Sequence, residues 1–183
     1  MSALLDLSRL PAGSPDVSAE RQTIDIFLSP GEFFFGDEDT RIRTVLGSCV
    51  AITLWHPRRR IGGMCHYMLP SRGQGRSHQL DGRYCDEAIA MFLRETRGTR
   101  TLPGEYEVKV FGGGNMFPHR HHHLLDVGRR NAETGLDLLS RHGFHVKARH
   151  LAGSGHRNVV FELWSGDVWM RYTDAAGAHL GEK

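Results

Sequence analysis

Two apolar runs separated by a short polar break constrain this chain more than any other feature. The first run covers residues 50–55 and directly follows Cys49, and the second covers residues 64–69 and contains His66. The sequence between them, at 56–60, reads His-Pro-Arg-Arg-Arg, a polar break of the kind that joins neighbouring strands. We therefore predict two adjacent strands, which would allow Cys49 and His66 to come into contact.

A thiol beside an imidazole is the minimal machinery for nucleophilic attack on an acyl group, because the imidazole accepts the proton and leaves a thiolate. Along an extended chain Ala51 and Thr53 share the face of Cys49, and these small residues would leave room for a substrate. The alternative is that Cys49 is a half-buried core cysteine and His66 a hydrogen-bonded strand histidine. Cys65 is a rival nucleophile, but in an extended strand it projects away from the face of His66, which favours a core position.

Size and charge limit the function classes that remain. A chain of 183 residues suits one domain, and a net charge of +2 gives no argument for nucleic-acid binding. No run approaches the roughly 20 apolar residues that cross a bilayer, and the first residues do not resemble a secretory signal. Three cysteines at no metal-ligand spacing favour reduced thiols. We therefore expect a cytoplasmic protein without membrane insertion.

The remaining patterns predict strands and two helices in a single α+β domain. Apolar or alternating segments predict further strands at 23–28, 106–111, 144–151, 158–164 and 167–173. Apolar residues at helical spacing predict helices over about 81–97 and 126–142. We interpret residues 1–22 as a flexible N-terminal arm, 23–173 as the catalytic domain and 174–183 as a loose C-terminal tail.

Two conspicuous motifs have more than one interpretation. The triple glycine at 112–114 follows a strand but lacks the Lys-Ser/Thr of a phosphate loop, so a tight turn that admits another backbone is favoured. Backbone amides there, or at Gly47 and Ser48, could form an oxyanion hole. The run from His119 to His123 could hold a transition metal. Adjacent histidines on a loop cannot all point inward, however, so we predict neither a metal site nor a cofactor.

Short motifs distributed along the chain carry a family resemblance. The strongest are Leu-Gly-Ser-Cys-Val-Ala at 46–51 and Gly-x-x-His-x-x-Leu-Pro at 63–70, in this order and at this separation. Weaker ones are Tyr84-x-Asp86-x-Ala88, Gly113-Gly114-x-Met116-Phe117, the segment from Gly128 to Asn131, and Gly155-x-Arg157. With these motifs, residues 24–172 resemble the chemoreceptor glutamine deamidase family, CheD.

The resemblance implies an enzyme that hydrolyses the side-chain amides of particular glutamines in the cytoplasmic domains of methyl-accepting chemoreceptors. It assigns the family's cysteine nucleophile to Cys49 and its histidine base to His66. A threonine assists, and in some members it lies six positions before the cysteine, where this chain has Arg43. Thr44 lies five positions before Cys49. Either Thr44 fills the role through a local shift, or the third member is missing.

The family resemblance also carries expectations about fold and partners. It implies a layered α/β/β sandwich with two stacked mixed sheets and two main helices, similar to toxin-type cysteine deamidases. Some relatives associate with a phosphatase of the chemotaxis response regulator. The alternative function is therefore a binding module that regulates such a phosphatase.

Overall fold

The computed structural model describes residues 23–73, 79–116 and 127–174, together with the backbone of 179–182. Within these residues ten strands and two α-helices occur. The strands are β1 (Ile24–Phe27), β2 (Phe33–Gly36), β3 (Thr40–Leu46), β4 (Val50–His56), β5 (Ile61–Tyr67), β6 (Glu107–Gly112), β7 (His145–Leu151), β8 (Gly155–Glu162), β9 (Val168–Asp174) and β10 (His179–Glu182). The helices are α1 (Cys85–Gly98) and α2 (Val127–Arg141), and a short 3-10 helix covers Pro103–Glu105.

The strands form two five-stranded sheets. The first has the order β1-β3-β8-β9-β10 and the second the order β2-β5-β4-β6-β7. Each is mixed, because β1 pairs with β3 and β6 pairs with β7 in parallel, while the other described pairs are antiparallel. Both helices pack on the second sheet, whose other face contacts the first. The predicted α/β/β sandwich is confirmed.

The central strand β4 explains why its sequence is almost continuously apolar. Val50, Ile52 and Leu54 are fully buried against the helix layer, in a cluster that includes Phe92 of α1. Ala51, between them, faces the first sheet and belongs to the second cluster. A strand covered on both faces has no solvent side on which polar residues would be favoured.

Several element boundaries differ from the predicted ones. Helix α1 begins at Cys85, later than predicted, because Tyr84 has extended backbone angles and bridges to Leu69. Strand β8 begins at Gly155, before the predicted start at 158, because its ladder with β9 already pairs Gly155 with Asp174.

The predicted loose C-terminal tail is wrong at 179–182. Its backbone forms β10, which pairs antiparallel with β9 from Thr173 back to Met170. The predicted arm at 1–22 and the histidine run from His119 to His123 lie outside the described residues. Among the described residues, no helix has the length and apolar character that crossing a membrane requires.

Candidate active site

The β4–β5 hairpin brings the two reactive residues to one face of the second sheet. In the antiparallel register Ala51 lies directly opposite His66, so their side chains share a face. Cys49 comes two residues before Ala51 and packs with it in the cluster between the sheets. The predicted adjacency of the two strands is therefore confirmed, and Cys49 and His66 both face the first sheet.

Thr44, on β3 of the first sheet, contacts the imidazole of His66 across the sandwich. Its Oγ1 lies 2.8 Å from His66 Nδ1 and donates to the carbonyl of Leu28, also at 2.8 Å. A hydroxyl has one hydrogen to donate, so with that hydrogen on Leu28 it accepts from Nδ1–H. The Nε2 atom then carries the lone pair, in the orientation required of a base. Nε2 is buried and has no hydrogen-bond partner among the described residues.

Arg43 does not take part in this arrangement. Because side chains alternate along β3, Arg43 lies on the outer face, where its Nε donates to Asp25 at 2.7 Å. Thr44, not Arg43, therefore lies beside His66. That Thr44 fills the assisting role of the family's threonine stays a prediction.

The surroundings of the two reactive side chains favour their neutral forms. Burial raises the pKa of the Cys49 thiol above its ordinary value. Burial also lowers the pKa of the His66 imidazole, partly opposed by the Leu28 carbonyl and by the charge of Glu32. A neutral imidazole can accept a proton, and a neutral thiol has one to give. Cys49 is only partly buried, whereas Cys65 is fully buried.

The triple glycine at 112–114 holds the loop that carries Cys49. Gly113 N–H donates to the Cys49 carbonyl at 2.8 Å, and Gly114 N–H donates to the Gly47 carbonyl at 2.9 Å. A Cβ at Gly112 would lie 2.1 Å from the Cys49 carbonyl oxygen, so only glycine allows this approach. The predicted close approach of another backbone is confirmed. Since those two amides are already used, Gly47 and Ser48 are the remaining candidates for an oxyanion hole.

Asn131 of α2 is a residue near the site for which the sequence suggested no role. Its Nδ2 donates to the carbonyl of Met68 at 2.7 Å and to that of Ser48 at 3.3 Å. The side chain is fully buried. A signal was available, because Asn131 lies on the stripe of Gly128 and Gly135, where helical spacing predicts a buried apolar residue.

The described residues offer no arrangement for a metal ion. No group of three or more His, Cys, Asp or Glu side chains among them could hold one. The run from His119 to His123 lies outside them, so the prediction made for it stays a prediction.

Large apolar side chains are exposed around the loop of Cys49. Met68 and Leu69 follow His66, and Met116 lies against Gly47.

The two-sheet sandwich therefore places a thiol, an imidazole and a hydroxyl between its sheets, on Cys49, His66 and Thr44. Residues 68–172 match the family model described as CheD chemotactic sensory transduction. The Probable chemoreceptor glutamine deamidase CheD 3 of Dechloromonas aromatica is 47% identical, over 89% of this chain and 96% of that protein. The Probable chemoreceptor glutamine deamidase CheD of Pseudomonas savastanoi pv. phaseolicola is 54% identical, over 81% of this chain and 84% of that protein. The chain belongs to the CheD family.

Among solved structures, the fold is similar to the hypothetical protein YfiH of Bacillus licheniformis. The match has a TM-score of 0.43 and 10% sequence identity, and it covers 67% of this chain and 50% of that one. A similarity this distant carries no argument about the site. The predicted likeness to toxin-type deamidases stays a prediction.

Proposed function

We propose that this protein is a cysteine-dependent glutamine deamidase that acts in the cytoplasm on methyl-accepting chemoreceptors. It converts specific glutamines to glutamate and releases ammonia. Family membership supports the reaction and the substrate class, since the curated relatives are named for them. One observation carries the mechanism: the hydrogen-bonded chain from His66 through Thr44 to Leu28 leaves Nε2 as an unprotonated base on the face of Cys49.

The first half of the reaction forms a thioester. His66 Nε2 takes the proton of the Cys49 thiol as the sulfur attacks the carboxamide carbon of the substrate glutamine. The carbonyl oxygen becomes an oxyanion, for which the amides of Gly47 and Ser48 are the candidate donors. The imidazolium then gives its proton to the carboxamide nitrogen. Ammonia leaves, and the acyl group remains on Cys49.

The second half hydrolyses that thioester. His66 takes a proton from water as the water oxygen attacks the acyl carbon, and it returns this proton to the departing sulfur of Cys49. The product is a glutamate side chain, and the thiol and imidazole are restored. Acid–base assistance of this kind typically contributes roughly 10²- to 10⁴-fold in rate. Thr44 acts on the ring alone, because it holds Nδ1–H and so keeps Nε2 available in both halves.

The surface around Cys49 supports a protein substrate. Met68, Leu69 and Met116 are large apolar side chains, each exposed by about two fifths of its area. Apolar residues exposed around a reactive group are typical of sites that bind another protein.

Mass spectrometry of a receptor cytoplasmic fragment tests this proposal. The fragment is incubated with the wild-type protein, with Cys49→Ala and, as a matched control, with Cys65→Ala. We expect glutamine-to-glutamate conversion with the wild type and with Cys65→Ala, and none with Cys49→Ala. Deamidation by Cys49→Ala near the wild-type rate would refute the nucleophile. The phosphatase partner stays a prediction, which restoration of chemotactic adaptation by Cys49→Ala would favour.

A further inference from the structure

Asn131 joins the two chain segments that carry the reactive side chains. The two hydrogens of its Nδ2 go to two different loops, one to the carbonyl of Ser48 and one to the carbonyl of Met68. Ser48 is the residue immediately before Cys49, and Met68 follows the last residue of β5. A single side chain on α2 therefore bridges the entrance of β4 and the exit of β5.

This bridge lies where the β4–β5 ladder ends. Val50 and Tyr67 are the last residues paired in that ladder, so the hairpin's own hydrogen bonds do not extend to Cys49. Asn131 supplies the next connection between the two segments. The hydroxyl of Tyr67 also donates to the Asn131 carbonyl at 2.9 Å, which fixes α2 to the end of β5.

Asn131 acts from the opposite side of the sheet to the reactive groups. Helix α2 packs in the helix layer, whereas the side chains of Cys49 and His66 face the first sheet. Asn131 therefore touches neither the sulfur nor the imidazole. Its effect reaches them through the backbone, because it limits how far the Cys49 loop and the end of β5 can separate.

The unused acceptor of Asn131 argues against a purely structural role. Only Nδ2 can face two carbonyl oxygens, which leaves Oδ1 on the other side of the amide. Oδ1 is buried and has no hydrogen-bond partner among the described residues. A buried acceptor without a partner is unfavourable for folding. The benefit of an asparagine at this position therefore lies in its two donated hydrogen bonds.

We propose that Asn131 is a positioning residue, which holds Cys49 and His66 at the separation where Nε2 can take the thiol proton. This inference rests on the proposed function in one respect, the pairing of Cys49 as nucleophile with His66 as base. It does not depend on which protein is deamidated.

A double-mutant cycle on the full chain tests this role. The rate of Cys49 alkylation by iodoacetamide near neutral pH is followed by mass spectrometry of tryptic peptides, with Asn131→Ala and His66→Gln made singly and together. We expect Asn131→Ala to slow alkylation about tenfold in the presence of His66 and less than about twofold in His66→Gln, because residues that act as a unit are not additive. Asn131→Asp keeps the volume, removes both donors and should give the same pattern.

Leu139→Ala is the matched control, since Leu139 is fully buried on the same helix but belongs to the apolar core. It should lower the melting temperature without slowing alkylation. Equal losses from Asn131→Ala in both backgrounds, or an equal loss in Leu139→Ala, would overturn the inference. So would alkylation that does not depend on His66. If this coupling is observed but receptor deamidation is not, the substrate proposal is wrong and the role of Asn131 stands. If deamidation is observed without the coupling, only the role of Asn131 is wrong.

Discussion

Cys65 and His66 are neighbours on β5, but their side chains project to opposite faces of the second sheet, and the two faces differ in chemistry. Cys65 faces the helices, is fully buried in the apolar cluster, and has a pKa raised strongly by that burial. His66 faces the other sheet and bonds to Thr44 there. Cys65 and His66 are buried to a similar degree, but only His66 shares its face with a hydroxyl and a partly exposed thiol. We therefore expect Cys65 to be inert.

The two regions also differ in what fills them near the end of the hairpin. On the helix side Val50 and Tyr67 are fully buried, and Tyr67 packs so closely on Gly135 that a Cβ there would lie 2.3 Å from its hydroxyl. On the other side the residue opposite His66 is Ala51. Large side chains fill the helix face at this point, whereas the residue beside His66 on the other face is small. Mutation and chemical modification can test this difference between the two faces.

The largest effect should come from removing the base. We expect His66→Gln to lower kcat for deamidation of the receptor fragment by roughly 10²- to 10⁴-fold, because general base assistance is lost. His56→Gln is the matched control, since His56 is also buried but lies at the other end of β4. Activity of His66→Gln within a few-fold of the wild type would contradict the assignment.

Alkylation should distinguish the cysteines of the two regions. We expect iodoacetamide to modify Cys49 at least about 10²-fold faster than Cys65 or Cys85 in the folded protein, because only Cys49 is partly exposed. Peptide mass mapping measures the three rates, and the urea-unfolded chain, in which all three should react, is the control. Comparable rates for Cys49 and Cys65 in the folded state would remove the distinction.

Removing the hydroxyl beside the base should have an intermediate effect. We expect Thr44→Val to lower kcat about fivefold, the equivalent of the ~1 kcal/mol of one hydrogen bond, while KM changes little. Without the hydroxyl, Nδ1 has lost the acceptor that keeps Nε2 unprotonated. The control variant is Thr53→Val, because Thr53 is a buried threonine on the Cys49 side of β4. This variant should leave kcat unchanged. A rise in KM alone would assign Thr44 to substrate binding instead.

In the helix-facing region the expected effect is on stability. Cys65→Ala should lower the free energy of unfolding by about 1 kcal/mol, because a fully buried sulfur leaves a small cavity. We expect kcat to stay near the wild-type value. Urea unfolding and deamidation rates measured on the same preparation check both statements. A large loss of kcat without loss of stability would place Cys65 in the chemistry.

The smallest expected effect concerns stability at acid pH. Burial lowers the pKa of folded His66, so below pH ~6.5 the unfolded chain binds a proton there that the folded chain does not. Stability should therefore fall as the pH falls through this window, until the folded imidazole also protonates. In His66→Gln the fall should be shallower. Equal pH dependence of urea unfolding in the two proteins would show that His66 does not contribute.

The sequence by itself determined the hairpin and the division of its faces. Alternation along a strand is a local property, so placing His66 with the face of Cys49, and Cys65 in the core, required only two correctly identified strands. The helices followed in the same way from their apolar spacing, although Tyr84 and its bridge to Leu69 delay the start of α1.

Only the tertiary structure decided which residues support the pair. Thr44 reaches His66 from another sheet and Asn131 reaches the hairpin from a helix, and no periodicity in the sequence encodes those contacts. Choosing Thr44 over Arg43 depended on which face of β3 turns inward, and the strand at 179–182 depended on an edge of β9 being available. These contacts join residues that are far apart in the sequence. They depend on how the two sheets stack and on the register of their strands, which local sequence patterns do not reveal.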